Sequence, residues 1–148
     1  ATDVWEMSNT TGPYSRFQLK QYIEQTQNDL FADRQLRLMI ENGNRQVVGI
    51  VDLCSFDPLH NRAEVGIMVD KSCRRQGIGR NALALLEEHC FRYLGIHQLF
   101  AYIAVENLPS RRLFAACGYK ESAVLKEWAH TFGGGYTDVL VVQKLNLS

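Results

Sequence analysis

Apolar and polar residues alternate along several segments of this chain, a pattern typical of strands with one buried face. The segments predicted as strands are 35–41, 46–54, 61–70, 98–105, 121–131 and 137–145. The sequence Asn42-Gly43-Asn44 separates the first two and is typical of a hairpin turn. A three-glycine turn at 133–135 separates the last two, which indicates a second hairpin.

Other segments repeat their apolar residues at helical spacing and are predicted as helices. The first runs from Ser15, a residue type that caps helices, to Leu30. The second follows a glycine-containing loop and ends near Leu94, and the third covers 111–117. The order is helix, three strands, helix, strand, helix and two strands. It predicts an α/β or α+β sheet with helices on its faces.

The loop before the second helix carries Arg74 and Arg75, followed by Gly77 and Gly79. Glycine lets a backbone approach a ligand closely, and the free N–H groups at a helix start attract anions. This R-x-x-G-x-G pattern therefore predicts a phosphate or pyrophosphate site. It matches neither the P-loop nor the three-glycine dinucleotide pattern. A polar turn that only caps a surface helix is the alternative.

Composition and charge narrow the class of protein. Sixteen basic and 16 acidic residues leave a net charge of +0, which argues against a nucleic-acid partner held by a basic surface. No apolar run approaches the ~20 residues of a membrane span, so we expect no membrane partner. The four cysteines form no C-x-x-C pair and no histidine has metal-ligand spacing, which predicts no metal site and a reducing, cytoplasmic compartment. The length of 148 residues predicts one domain, 1–148.

The strand 61–70, the R-x-x-G-x-G loop and the helix after it resemble the acetyl-CoA motif of the GCN5-related N-acetyltransferases, the GNAT family. That family's second motif, E-N-x-x-[SA] followed by G-[FY], is similar to Glu106-Asn107-Leu108-Pro109-Ser110 and Gly118-Tyr119. The resemblance covers roughly 61–145 and implies a mixed, mostly antiparallel central sheet flanked by helices and splayed between its two central strands. For the start of the chain, two alternatives stay open: a shortened segment, or absence of the family's first strand.

The resemblance also implies acetyl-CoA as cosubstrate, no metal, and direct attack of an amine on the thioester. Backbone N–H groups at Ile67, Met68 and Val69 would stabilise the oxyanion, with a strand bulge expected at Gly66. The other residues that the resemblance places at acetyl-CoA are Arg74, Arg75, Gln76, Gly77, Ile78, Gly79, Arg80, Asn107 and Phe114.

Direct transfer needs a base, because a primary amine with a pKa of about 10 is mostly protonated at neutral pH. Glu64, on the strand before the loop, is the first candidate, and Glu127 and Asp138 are alternatives. Each of the three has the alternative role of a solvated or ion-paired carboxylate.

A proton donor for the departing thiolate is harder to assign. Many members of the family carry a Tyr where this chain has Phe114, which has no proton to donate. Tyr119 and Tyr136 are other candidates, or the thiolate takes the proton of the amine. The departure at Phe114 favours an alternative function, a non-catalytic acyl-CoA-binding or sensing module.

The closing segment resembles the subgroup that includes ribosomal-protein and spermidine/spermine N-acetyltransferases. The resemblance lies in Lys126-Glu127-Trp128 and Gly135-Tyr136-Thr137-Asp138. It implies an amine acceptor, and a small amine, a polyamine and a protein or peptide amine all stay open. Because relatives often dimerise, a homodimer is also expected.

Overall fold

Eight strands of the described chain form one sheet, in the order β1-β2-β3-β4-β5-β6-β8-β7. The computed structural model describes residues 3–8, 18–23, 30–73 and 77–147. The strands are β1 (Asp3–Ser8), β2 (Gln18–Ile23), β3 (Leu36–Glu41), β4 (Val47–Asp57), β5 (Arg62–Val69), β6 (Gln98–Ala104), β7 (Lys120–His130) and β8 (Tyr136–Leu145). The helices are α1 (Leu30–Asp33), α2 (Ile78–Glu88) and α3 (Leu108–Ala116).

Neighbouring strands are antiparallel except for β5 and β6, which run parallel in the middle of the sheet. The polypeptide between these two contains α2, as expected for a crossover between parallel strands. The mixed, mostly antiparallel sheet predicted from the resemblance is therefore confirmed.

The core lies between one face of the sheet and α2. Leu36, Leu38 and Ile40 alternate along β3 and are all buried, as period-two spacing requires. The buried face of α2 includes Leu83 and Leu86, which are fully covered. After Glu88 the helix continues as a π-helical turn over His89–Tyr93, so its end near Leu94 agrees with the prediction. None of the described helices is long and apolar enough to cross a lipid bilayer.

The predicted first helix, Ser15 to Leu30, is wrong over Gln18–Ile23, whereas its last residue, Leu30, begins α1. Gln18–Ile23 is strand β2, which pairs with β1 on one side and with β3 on the other. Leu19 lies opposite Ile40 and is fully buried beside it. An apolar pattern this short fits both periods, and pairing with the buried strand β3 decides between them. Positions 15–17 and 24–29 lie outside the described residues.

The third helix starts earlier than predicted, because Leu108, Pro109 and Ser110 form its first turn rather than a loop. Proline is favourable there, since the first turn of a helix needs no N–H from it. The predicted bulge at Gly66 is also wrong. The ladder between β4 and β5 runs without a break from Gly49–Val69 to Cys54–Glu64 and includes Gly66, and the irregularity lies in β4 beyond Cys54.

Candidate functional site

The two parallel strands separate after a short paired stretch. In the described chain β5 pairs with β6 at three positions, the last being Glu64 opposite Phe100. Both strands then continue, to Val69 and Ala104, with no further pairing between them. The predicted splay between the central strands is confirmed. The edge of β5 from Val65 to Val69 is thus unpaired with β6, and the gap between this edge and the end of β6 is called the cleft below.

A helix begins shortly after each of these two strand ends. The helix α2 starts at Ile78, and α3 starts at Leu108, so both N-termini lie at the sheet edge where the cleft opens. Helix N-termini carry unpaired N–H groups and the positive end of the helix dipole. A ligand with negative charge is therefore favoured at this end of the cleft.

The backbone turns sharply at the start of α2. Gly77 caps the helix with φ of 75°, in the left-handed region that favours glycine. A Cβ atom at Gly77 would meet no atom of the described residues within 4 Å. The first helical hydrogen bond joins Asn81 N–H to Gly77 O at 3.0 Å, which leaves the N–H groups of Ile78, Gly79 and Arg80 at the helix start.

The predicted phosphate-binding residues at the start of α2 differ in what their side chains contact. Arg80 is exposed in the first turn of α2, whereas the side chain of Ile78 is buried in the core, so only its backbone can face a ligand. Gly79 lets α2 approach α3, because a Cβ there would lie 3.0 Å from Leu113 Cδ2. Positions Arg74, Arg75 and Gln76 lie outside the described residues.

The three predicted oxyanion residues lie on the splayed part of β5. The side chains of Ile67 and Val69 pack against the core, and that of Met68 is 71% exposed on the opposite face. Backbone groups of this segment therefore border the cleft, and their side chains are held by core packing on one face. A rigid backbone beside a cleft is suited to stabilise a developing oxyanion.

Glu64 lies at the last paired position before the splay, between Cys54 of β4 and Phe100 of β6. Alternation places its half-buried side chain on the sheet face opposite α2, and Ser55 Oγ donates to its Oε1 at 3.5 Å. The pKa of the neighbouring Cys54 thiol is raised, chiefly by burial and also by the Glu64 carboxylate. The raised pKa keeps the Cys54 thiol protonated at neutral pH.

Both carboxylate oxygens of Asp138, one of the alternative bases, already have partners. Its Oδ1 accepts the backbone N–H of Glu127 at 2.9 Å, and its Oδ2 pairs with Lys126 Nζ at 3.2 Å. These contacts, the backbone hydrogen bond first, hold the pKa of Asp138 below its ordinary value. A carboxylate with both oxygens occupied and a lowered pKa is a poor proton acceptor. Glu127, the other alternative, is exposed on β7.

Asn107 caps α3, because its Oδ1 accepts the N–H of Ser110 at 3.2 Å. Phe114, in contrast, is only 3% exposed and packs edge-on against Tyr119 at 4.9 Å between ring centroids. Tyr119 is buried too, and burial raises the pKa of its hydroxyl far above the ordinary value. Its hydroxyl is therefore unsuited to donate a proton at the cleft, whereas Tyr136 is exposed.

Sequence reasoning missed one aromatic residue beside the cleft. Tyr102 lies on β6 two residues beyond the last pair with β5, and its exposed ring packs edge-on against Phe100. Both rings share the face of the sheet that carries Glu64, since Glu64 and Phe100 are paired. The apolar residues Leu99, Ala101 and Ile103 alternate along β6, and this alternation could have placed Tyr102 on the opposite face. Among the described residues, no group of three acidic, His or Cys side chains could hold a metal ion.

A mixed sheet that splays between two parallel strands, each followed by a helix start, is the architecture of a GNAT-type acetyltransferase. Residues 1–120 match the family described as the acetyltransferase (GNAT) domain. The chain belongs to this family and is an enzyme of the N-acetyltransferase class.

Named relatives agree with this assignment. The chain is 27% identical over 128 residues to a spermidine N(1)-acetyltransferase of Vibrio cholerae, covering 86% of this chain and 72% of the relative. It is 34% identical over 102 residues to the putative phosphinothricin acetyltransferase YwnH of Bacillus subtilis, covering 65% of this chain and 59% of that protein. The dodecameric spermidine N-acetyltransferase from Vibrio cholerae in an intermediate state superposes with a TM-score of 0.73 and 25% identity, covering 79% and 68% of the two chains.

Proposed function

We propose that this protein transfers the acetyl group of acetyl-CoA to a primary amine by direct attack on the thioester. The observation that carries the proposal is the cleft between β5 and β6, with a helix N-terminus after each strand. The diphosphate of acetyl-CoA would bind at the start of α2, through N–H groups from Gly77 to Arg80 and the side chains of the Arg74–Gln76 loop. Its thioester would lie beside β5.

In this proposal the backbone N–H groups of Ile67 and Val69 stabilise the oxyanion that forms when the amine attacks. The N–H of Asp70 donates to Val48 O in the unbroken ladder with β4, so alternation directs the N–H of Met68 toward β4 as well, and those of Ile67 and Val69 away from it. Met68 therefore contributes no N–H to the cleft.

The protonated amine first loses one proton. Glu64 lies three residues from Ile67, about 10 Å along the strand, so this proton reaches its carboxylate through water. The neutral amine then attacks and the C–N bond forms. As the C–S bond breaks, the nitrogen loses its second proton, which the departing thiolate takes up.

Asn107 supports the site by capping α3, and Phe114 is proposed to line the inner wall of the cofactor channel from the core. Spermidine is the first acceptor to test, since the named relatives include spermidine acetyltransferases. A peptide N-terminus and a small amine remain the other two acceptor classes. The cytoplasmic location stays a prediction.

The deciding experiment is calorimetric titration of acetyl-CoA, followed by a thiol-release assay with spermidine, amino acids and N-terminal peptides. Glu64→Gln is the matched variant, because it keeps size and hydrogen bonding but removes the base. We expect it to bind acetyl-CoA as the wild type does and to lose about 100-fold or more in kcat, the usual contribution of a general base.

The outcomes separate the candidate functions. Binding with turnover supports the enzyme. Binding with no turnover on any amine favours the acyl-CoA-sensing module, which the buried Phe114 at the family's Tyr position also favours. No binding contradicts the assignment of the α2 start.

We also propose self-association. The strand β7 forms an edge of the sheet and is exposed along most of its length, and exposed edges favour pairing with another chain. Light scattering after size exclusion measures the mass, and a monomer at micromolar concentration contradicts this part of the proposal.

A further inference from the structure

The ladder between β7 and β8 contains a large bulge. Leu125 pairs with Val139 and Ala129 pairs with Thr137, so the three residues Lys126, Glu127 and Trp128 lie opposite the single residue Asp138. At the centre of the bulge Glu127 has a φ of 49°, in the left-handed region that non-glycine residues rarely adopt. Such a conformation persists only where surrounding contacts impose it.

Asp138 supplies those contacts. Its Oδ1 accepts the backbone N–H of Glu127 at 2.9 Å, and its Oδ2 pairs with Lys126 Nζ at 3.2 Å. Lys126 is largely exposed, so its ion pair adds little to stability. The hydrogen bond from the N–H of Glu127 to Asp138 is therefore the contact that holds the strained residue in place.

The bulge is also tied to the candidate site. The carbonyl of Asp138 accepts the N–H of Val105 at 3.0 Å, and Thr137 Oγ1 donates to Glu106 Oε1 at 2.8 Å. Val105 and Glu106 form the turn between β6 and α3, at the sheet edge where β5 and β6 separate. Only β8 lies between β6 and β7, so the bulge lies about 10 Å from the end of β6.

The side chains carried by the bulge suit a cationic ligand. Glu127 is exposed and Trp128 is 62% exposed. A carboxylate pairs with an ammonium group, and an indole ring attracts cations to its face. A separation of about 10 Å, two strand spacings, is within reach of an acceptor whose reacting amine lies at the cleft and whose chain extends along the sheet edge.

We propose that Asp138 is a positioning residue that holds the Lys126–Trp128 bulge, and thereby sets the geometry with which Glu127 and Trp128 contact the distal part of a cationic acceptor. The inference rests on the proposed acetyl transfer to an amine. It assigns Asp138 no contact with the reacting atoms.

The test is steady-state thiol release with spermidine for the wild type, Asp138→Ala, Asp138→Asn and Lys126→Met. We expect Asp138→Ala to raise the KM for spermidine about fivefold, the factor that corresponds to one net hydrogen bond. The KM for acetyl-CoA and the kcat should stay near wild type. Asp138→Asn keeps an oxygen that accepts the Glu127 N–H, and Lys126→Met keeps the whole carboxylate, so both should stay within about twofold of wild type.

A double-mutant cycle distinguishes positioning from general damage. Glycine adopts positive φ without strain. In a Glu127→Gly background the hydrogen bond from Asp138 should therefore contribute less to the stability of the bulge. We expect the Asp138→Ala change to cost less than about twofold in that background. An unchanged KM for spermidine in Asp138→Ala, an equal rise in the KM for acetyl-CoA, or the same factor in both backgrounds would each overturn the proposal.

Amide hydrogen exchange at Glu127 gives a readout that needs no activity. The N–H should exchange slowly in the wild type and in Asp138→Asn, and faster in Asp138→Ala. If the wild type acetylates no amine, the proposed function fails, and this exchange still decides whether Asp138 holds the bulge. Equal exchange in wild type and Asp138→Ala contradicts the positioning role.

Discussion

An ion pair between Lys144 of β8 and Glu87 of α2 links two elements that are distant in the sequence. The variant Lys144→Met tests how much this pair stabilises the fold. Lys144 Nζ lies 2.5 Å from Glu87 Oε1 and 2.6 Å from the carbonyl oxygen of Cys117, just beyond α3. Glu87 is buried, and burial raises its carboxyl pKa while Lys144 opposes that rise. Methionine keeps most of the lysine stem but leaves the carboxylate without its cation.

The expected loss in the free energy of unfolding depends on how the Glu87 carboxylate responds when Lys144 is removed. Breaking a buried ion pair costs about 3–5 kcal/mol, and the Lys144 side chain is 30% exposed, which favours the lower end. Glu87 can also take up a proton, so the loss cannot exceed the free energy of protonating a carboxyl with an ordinary pKa. This free energy is about 4 kcal/mol at pH 7 and about 1 kcal/mol at pH 5. We therefore expect about 3 kcal/mol at pH 7 and about 1 kcal/mol at pH 5.

The sign of this pH dependence follows from proton binding. Without Lys144 the pKa of Glu87 in the folded protein rises further above its unfolded value, so the folded state binds more protons. The penalty is present above the folded pKa and disappears as the pH falls toward the unfolded one.

Urea denaturation at pH 5 and pH 7 measures the free energy of unfolding of the wild type, Lys144→Met and the double variant with Glu87→Gln. The double variant buries no charge and should recover most of the loss. A loss below about 1 kcal/mol at pH 7, or an equal loss at both pH values, would refute the reasoning.

Three further predictions concern single positions. Gly49→Ala places a Cβ 2.5 Å from the backbone oxygen of Met68, so the strands must shift, and urea denaturation should show a loss of about 1–3 kcal/mol. Gly77→Ala meets no described residue within 4 Å but strains the backbone at φ 75°, which should cost about 1–2 kcal/mol of stability, whereas Gly77→Asn should cost less. Burial lowers the pKa of His89, so the unfolded state binds its proton more readily and the wild type should lose stability as the pH falls from 7 to 5; His89→Gln should flatten that part of the profile.

Features encoded in consecutive residues were predicted correctly. The hairpin between β3 and β4, the helix after the glycine loop and the Asn107 cap each depend on residues a few positions apart. The two family motifs lie in segments of this kind, so local spacing is enough to place the helix start at Gly77 and the splayed strand. Glu64 and the backbone of Ile67–Val69 follow from the same strand.

The predictions that failed depended on distant partners. Gln18–Ile23 has too few apolar positions to distinguish helix from strand, and its pairing with β3 makes it a strand. The expected bulge at Gly66 is absent, because Gly66 pairs in register with Asp52 of β4. Neither fact is visible in the local pattern.

The family, the order of the elements from β3 onward and the position of the glycine turn can be read from the amino-acid sequence, because they depend on local spacing and backbone freedom. The roles of the isolated polar residues depend on the three-dimensional fold. Lys144 pairs with Glu87, which lies 57 positions away, and Asp138 accepts the N–H of Glu127 across a hairpin. Charges and hydrogen bonds act over a few ångströms of space, and the fold, not the spacing along the chain, brings these groups within that range.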